Sequence, residues 1–285
     1  MEMQKEDIYN DYQNDTNLFY LCYKNAIGHY TMPSNHFHDR FEIFYLLSGE
    51  RYYFIKDRTF FIKKGDLVLI NNYELHKTID TGVPNHERIL IKFSKEFIST
   101  QDSYIDEIMK SLFSFNLIHF SIKAQTMAED ILQKMFHEVD AKKTGFEVSL
   151  QSLLMQLLVF SVRYVGENPT HIPEHPTPIH QKVSEIVQYI NQHYAEPISL
   201  SSISKLFFVS PYYLSRAFNK VTGFTFVEYL NNVRIKEAQK LLRETRLSAS
   251  VISEKVGFGS IAHFGRVFKS ITNQSPLHYR KISRL

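Results

Sequence analysis

Two groups of residues in this chain have side chains and spacing that could do chemistry. The first is His36, His38 and Glu42, with His76 further on. Strand alternation puts His36, His38 and Glu42 on one face. Three imidazoles and a carboxylate can hold a transition metal. They can equally hydrogen-bond the hydroxyls of a small polar ligand, or stand as satisfied polar groups with no ligand at all. The second group is Arg216 and Arg266, which lie in two basic segments 50 residues apart. A guanidinium carried into a major groove by a helix can donate two hydrogen bonds to O6 and N7 of guanine. No Ser-His-Asp set, phosphate-binding loop or CxxC pair offers another chemistry.

The elements that must position the arginines are legible as helices. Val251, Ile252, Val256 and Phe258 form a short apolar face ending at Gly257, a residue suited to a left-handed C-terminal position. Ser260 then caps a helix whose buried face is Phe264, Val267, Phe268 and Ile271. Two short helices joined by a Gly-containing turn, the second one basic, form a helix-turn-helix pattern. The pattern recurs. Ser210, Arg216, Phe218, Thr222 and Tyr229 repeat as Ser260, Arg266, Phe268, Thr272 and Tyr279 at an offset of 50. In the first copy, Leu200, Ile203, Leu206 and Phe207 form the leading helix from a Ser199 cap. Ser210 caps the second helix, with Pro211 at its first position. Leu214, Ala217, Phe218 and Val221 face the core, leaving Tyr212, Ser215, Arg216 and Asn219 outside. A supporting helix over 183–194 precedes this unit. A continuous helix over 225–242 joins the two, spanning ~27 Å at 1.5 Å per residue, which would set the second helices about one DNA turn apart, ~34 Å.

Charge separates the chain in the same way. Residues 181–285 hold 15 Lys or Arg, six Glu and no Asp, a balance of +9, against −6 for residues 1–180. A basic final third on an acidic body implies a polyanion partner for one domain only.

The segment around Arg266 resembles the signature region of the AraC/XylS family of bacterial transcription regulators. The matching residues are Ile252, Val256-Gly257-Phe258, Phe264, Arg266-Val267-Phe268-Lys269, Ser275-Pro276 and Tyr279-Arg280. The resemblance implies base contacts from Tyr212, Ser215 and Arg216 in the first unit and from Ile261, Ala262, His263 and Arg266 in the second. Ser210, Asn219, Lys220, Ser260 and Lys269, with the helix N-termini, would hold phosphates and set register. Gly265 stands where the family commonly has Ser, and His263 where it has an aromatic.

Residues 35–94 read as strand-turn-strand, with runs at 41–47, 51–56, 59–62, 67–70 and 89–93 after a first strand at 18–23. Short strands at this spacing argue a small sandwich or barrel. His36-x-His38-x3-Glu42-x6-Gly49 fits the first cupin motif, with Tyr30 in place of its opening Gly. Gly65-x5-Asn71-x-Tyr73-x2-His76-x3-Asp80 keeps the spacing of the second. The region is thus similar to the cupin-type sensor domain of many AraC-like regulators. In such a barrel His36, His38, Glu42 and His76 would face inward, with Tyr45, Arg51 and Tyr53 as further effector-binding candidates.

From 101 to 166 the pattern turns helical, with a break at Gly145 and a wide stripe of Leu150, Leu153, Leu154, Leu157, Leu158 and Ser161. In AraC-like proteins helices here also pair two subunits. Residues 166–180 carry four prolines and no periodicity, as an extended linker would.

The expected architecture is α+β. A cupin-like domain (1–100), a helical dimerisation or packing segment (101–166) and a linker (167–180) precede an all-α double helix-turn-helix domain (181–285). The single cysteine, the polar and acidic N-terminus and the shortness of the apolar runs point to the cytoplasm, with no membrane partner. The resemblance implies a non-enzymatic homodimer without cofactor or metal. Its partners would be promoter DNA, RNA polymerase and a small effector, commonly a carbohydrate, with activation the commoner outcome. The rivals are a cupin metalloenzyme with a DNA-binding tail, and a DNA-binding protein whose barrel only dimerises.

Overall fold

The structure is a computed structural model and describes residues 7–32, 38–98, 103–168 and 177–283. The chain divides into two compact units near residue 175.

The first unit opens with nine strands, the first eight consecutive: β1 (Asp7–Gln13), β2 (Phe19–Ala26), β3 (Phe41–Ser48), β4 (Glu50–Ile55), β5 (Arg58–Lys63), β6 (Asp66–Ile70), β7 (His76–Ile79), β8 (His86–Phe93) and, after a helix, β9 (Leu117–His119). They form a six-stranded sheet in the order β1-β2-β8-β3-β6-β9 and a three-stranded sheet in the order β5-β4-β7. The sequence reading had neither β1, β7 nor β9. β1 is a polar run, and β7 and β9 are very short runs whose partners β4 and β6 lie well back in sequence, so local periodicity carries little of their signal.

Alternation decides what each face of the large sheet meets. Phe44, Leu46, Val68 and Ile70 turn inward with Tyr53, Ile55 and Ile62 of the small sheet to make one apolar cluster. Ile43, Tyr45, Leu67, Leu69, Ile89 and Ile91 turn the other way, onto the helices. Those helices are α1 (Ser103–Leu112), α2 (Ile122–Ala141) and α3 (Phe146–Glu167). α3 is long and apolar enough to cross a membrane by length and composition. Its Leu150, Leu153, Leu154, Leu157 and Leu158 are instead spent in the core shared with α2 and the sheet. Gly49 carries a mechanical duty. At φ +84° it turns β3 into β4, and a Cβ there would lie 2.6 Å from the Asn85 carbonyl oxygen.

The second unit is helical: α4 (Pro178–His193), α5 (Leu200–Leu206), α6 (Pro211–Thr222), α7 (Phe226–Glu244), α8 (Ala249–Lys255), α9 (Ile261–Thr272) and α10 (Pro276–Ile282). α4 begins inside the segment expected to be linker, with Pro178 in the first turn, where its missing N–H costs nothing. Residues 169–176, including His171 and His175, lie outside the described residues.

Serine and threonine caps start most of these helices. Ser199, Ser210, Ser248, Ser260 and Ser275 each accept the amide three residues on, and Thr225 forms a capping box with Glu228. The leading helices are thinner than expected. Ile203 and Ile252 are buried, but Leu206 is 48 % exposed and Val251 39 %. A seven-residue helix turns only one side chain in three or four inward. Val267 and Ile271, expected in the core, are only partly buried.

Candidate effector pocket and nucleic-acid interface

Within the barrel, Glu42 on β3 is almost fully buried and gathers polar partners from every side. His38 Nε2 lies 3.0 Å from its Oε2, Tyr53 donates its hydroxyl to Oε1 at 2.9 Å, and Lys92 Nζ and His76 Nε2 stand 3.5 and 3.6 Å from Oε2. Burial alone would raise the Glu42 carboxyl. The nearby His76 and Lys92, with the hydrogen bond from His38, overcome that and hold it well below the usual carboxylate range. The same burial, beside Glu42, pushes the Tyr53 phenol far up, so it donates at any physiological pH. His38, Glu42 and His76 could together offer three ligand atoms to a metal ion.

The placement of the expected pocket residues differs from the sequence reading in two respects, at His38 and Tyr45, and is undescribed for one. His36 lies outside the described residues. His38 is not on the strand, which begins at Phe41; it reaches Glu42 from the preceding bend. Tyr45 is not in the barrel interior. Three residues from Glu42 along a strand of period two, it faces α2 and donates its hydroxyl to Glu129 at 2.9 Å. Arg51 and Tyr53 do turn inward, Tyr53 to Glu42 and Arg51 toward Asp80 at 3.6 Å.

Sequence reasoning missed Arg88 and Lys92. Period two along β8 was the available signal, because Arg88, Leu90 and Lys92 pair with Leu46, Phe44 and Glu42 and so share their inward face. Near the far end of the barrel Arg88 stands over the Phe44 and Tyr30 rings, 5.8 and 5.3 Å from their centroids, and donates to His86 Nε2 at 2.9 Å. Burial lowers the Arg51 guanidinium to about 10, with Asp80 opposing and Arg88 reinforcing the shift.

In the second unit the two helix-turn-helix copies superpose as chemistry. Phe218 meets Tyr229 edge-on at 5.6 Å, and Phe268 meets Tyr279 edge-on at 5.6 Å. Thr222 and Thr272 each return a hydroxyl to the carbonyl four residues back, at 2.7 and 2.8 Å. These anchors fix which face of α6 and α9 is buried. Tyr212, Ser215, Arg216, Asn219 and Lys220 on α6 are exposed, as are Ile261, Ala262, His263, Arg266 and Lys269 on α9. Arg216 donates to the Tyr212 hydroxyl at 3.0 Å and lies 5.6 Å from that ring's centroid. The His263 ring packs edge-on to Phe258 at 5.5 Å. The exposed Ser210 and Ser260 use their hydroxyls as helix caps.

A sensor-like barrel followed by paired helix-turn-helix units defines a ligand-regulated DNA-binding protein, and comparison with known proteins bears on both halves. Residues 18–158 match the family described as AraC-like ligand binding domain, and residues 203–282 the helix-turn-helix domain. The chain belongs to the AraC family of transcription regulators, with an N-terminal domain of ligand-binding type. Among its relatives is the uncharacterized HTH-type transcriptional regulator YfiF of Bacillus subtilis (strain 168), 26 % identical over 93 % of this chain and 84 % of that protein. YdeC of the same organism, described likewise, is 25 % identical over 92 % of this chain and 91 % of its own length. The bifunctional transcriptional activator/DNA repair enzyme AdaA, again from Bacillus subtilis, is 34 % identical over 36 % of this chain and 49 % of that protein.

Proposed function

We infer that this chain is a cytoplasmic transcription activator, not an enzyme, that reads a promoter with both helix-turn-helix units and answers to a small polar effector of carbohydrate type bound in the barrel. One observation carries the reading: α6 and α9 are anchored by the same edge-on Phe–Tyr pair and turn Arg216 and Arg266 outward from equivalent positions. Tyr212, Ser215 and Arg216, then Ile261, Ala262, His263 and Arg266, touch bases. Lys220 and Lys269 neutralise phosphates, joined by Asn219 and the capped N-termini at Ser210 and Ser260. The nineteen-residue α7 separates the two readers by about one helical turn of DNA.

His38, Glu42, His76 and Tyr53 supply donors and acceptors suited to hydroxyls. The lysine at 3.5 Å from Glu42 favours this over a cation, since its ammonium already occupies the carboxylate. A groove of about 760 Å³ between α2 and α3, lined by Met127, Ile131, Met155, Val159 and Phe160, supports pairing with a second copy of the chain. RNA polymerase is the partner through which activation would act.

The test is promoter binding by the full chain, with and without sugars selected by thermal shift. Affinity should fall steeply with salt and change when a stabilising sugar is added. His76→Ala should abolish that change while DNA affinity persists. A flat salt response, or loss of DNA binding in the variant, would count against the assignment.

A further inference from the structure

The barrel interior holds a second polar level that the hydroxyl-binding set does not use. Arg51 is completely buried, and its Nε and Nη1 make no hydrogen bond among the described residues. Its nearest carboxylate is Asp80, 3.6 Å from Nη1, which is beyond hydrogen-bonding range. Asp80 is also taken by His29, whose Nδ1 lies 2.8 Å from its other oxygen. Only Nη2 is used, donating to the Tyr30 carbonyl.

Arg88, 5 % exposed, adds a second guanidinium against the same Tyr30 ring. Its Nη1 donates to His86 Nε2, so that imidazole accepts and is neutral there. Of these two buried guanidiniums, only Arg51 has a carboxylate beside it, the partly exposed Asp80. At the neighbouring level Lys92 already matches Glu42. Among these groups three fixed cations face two carboxylates. A buried charge left unmatched is strongly destabilising, and a fork of donors is shaped for a planar anion.

We propose that Arg51 and Arg88 form an anion subsite at the end of the barrel where β4 and β8 begin, and that the effector is a small polyhydroxy anion. Its carboxylate or phosphate would sit on the two guanidiniums and its hydroxyls on the Glu42, His76 and Tyr53 level. The inference rests on the sensor reading of the barrel, and makes it more specific. Gly49 contributes to the subsite. Only a residue without a Cβ lets the β3–β4 turn pass over Asn85 and His86, which lead into Arg88.

The experiment is a thermal-shift and calorimetric series on the full chain with D-glucose, D-gluconate, D-glucuronate, glucose 6-phosphate and inorganic phosphate. One of the charged sugars should raise the melting temperature by several degrees where glucose does not. The preferred member separates carboxylate from phosphate recognition. Arg51→Lys keeps the charge but loses the fork, and should weaken that ligand at least tenfold; Arg88→Gln should do likewise. Two variants on different strands guard against a single one that fails to fold. An equal response to glucose and to the charged sugars, or charged-ligand binding that survives both substitutions, overturns the anion subsite and leaves the sensor reading intact. No response to any sugar, neutral or charged, overturns both.

Discussion

The two helix-turn-helix units share a backbone plan but differ in what holds it. In the first, the residue after the α5 cap is Phe208, at φ 55° and 95 % exposed. In the second, the equivalent residue is Gly257, at φ +89°. The same bond closes each turn, Val209 N to Ser204 O at 2.9 Å and Phe258 N to Ser253 O at 3.0 Å. The second turn is one residue longer, by Gly259. It buries its aromatic: Phe258 packs on Phe264 and under Arg234. The balance reverses in the helices that follow. α6 buries Leu214, Ala217, Phe218, Val221 and Thr222, whereas α9 fully buries only Phe264 and Phe268. The first unit is held by its reading helix and tolerates a strained turn. The second is held by its turn and carries a lightly anchored reading helix.

The largest test of that contrast is Gly257→Ala. A side chain at this positive φ is strained, and its Cβ would lie 2.7 Å from the Ala195 carbonyl oxygen, a backbone atom that cannot swing aside. Strain and overlap together should cost about 2–3 kcal/mol. Hydrogen exchange should show the loss in α8 and α9, with α6 little changed. Equal loosening of α6 would mean that the two units open together and the contrast has no energetic content.

Next in size come the arginines. Arg216→Ala and Arg266→Ala should each weaken specific DNA binding by ~1–3 kcal/mol. Arg216 should cost more, because Tyr212, one turn back, pre-orients it, while Arg266 has Ala262 at that position and must give up rotamer freedom on binding. Quantitative footprinting of both variants against one promoter checks the order. A reversed order breaks the argument from bracing, and wild-type footprints from both remove them as readers.

How much of this was legible depended on whether the signal was local. The caps at Ser199, Ser210 and Ser260, the reading helices and the stripe on α3 are short-range patterns, and the structure has them where the spacing puts them. The aromatic contacts at Phe218–Tyr229 and Phe268–Tyr279 follow from a repeat visible in the letters. The barrel was harder, because its interior is set by pairing between distant strands. Glu42 follows from motif spacing, whereas Tyr45, a pocket candidate whose facing the motifs leave open, turns to α2, as counting by two from Glu42 requires. Arg88 and Lys92 went unnoticed because an inward Arg and Lys break the apolar rhythm by which β8 was recognised. Phe208 could not have been read from sequence at all, since nothing in its type predicts a left-handed backbone. That turn is imposed by the helices on either side.

The smallest predicted effect bears on the lightly anchored helix itself. Gly265 lies in the interior of α9, and a Cβ built there meets nothing within 4 Å. In a helix interior where a Cβ meets nothing, glycine gives up roughly 1 kcal/mol relative to alanine, through backbone freedom alone. Gly265→Ala should therefore stabilise α9 by up to ~1 kcal/mol, or roughly fivefold slower exchange of its amides, leaving α5 and α6 untouched. A loss of stability would mean that the open space beside Gly265 is closed in solution and that α9 is better packed than its two buried phenylalanines suggest. DNA binding by the same variant separates two reasons for the glycine. Unchanged affinity leaves it as slack in the helix. A loss of tenfold or more, in a protein measurably more stable than its parent, would mean that α9 brings its backbone at Gly265 closer to the duplex than a methyl group allows.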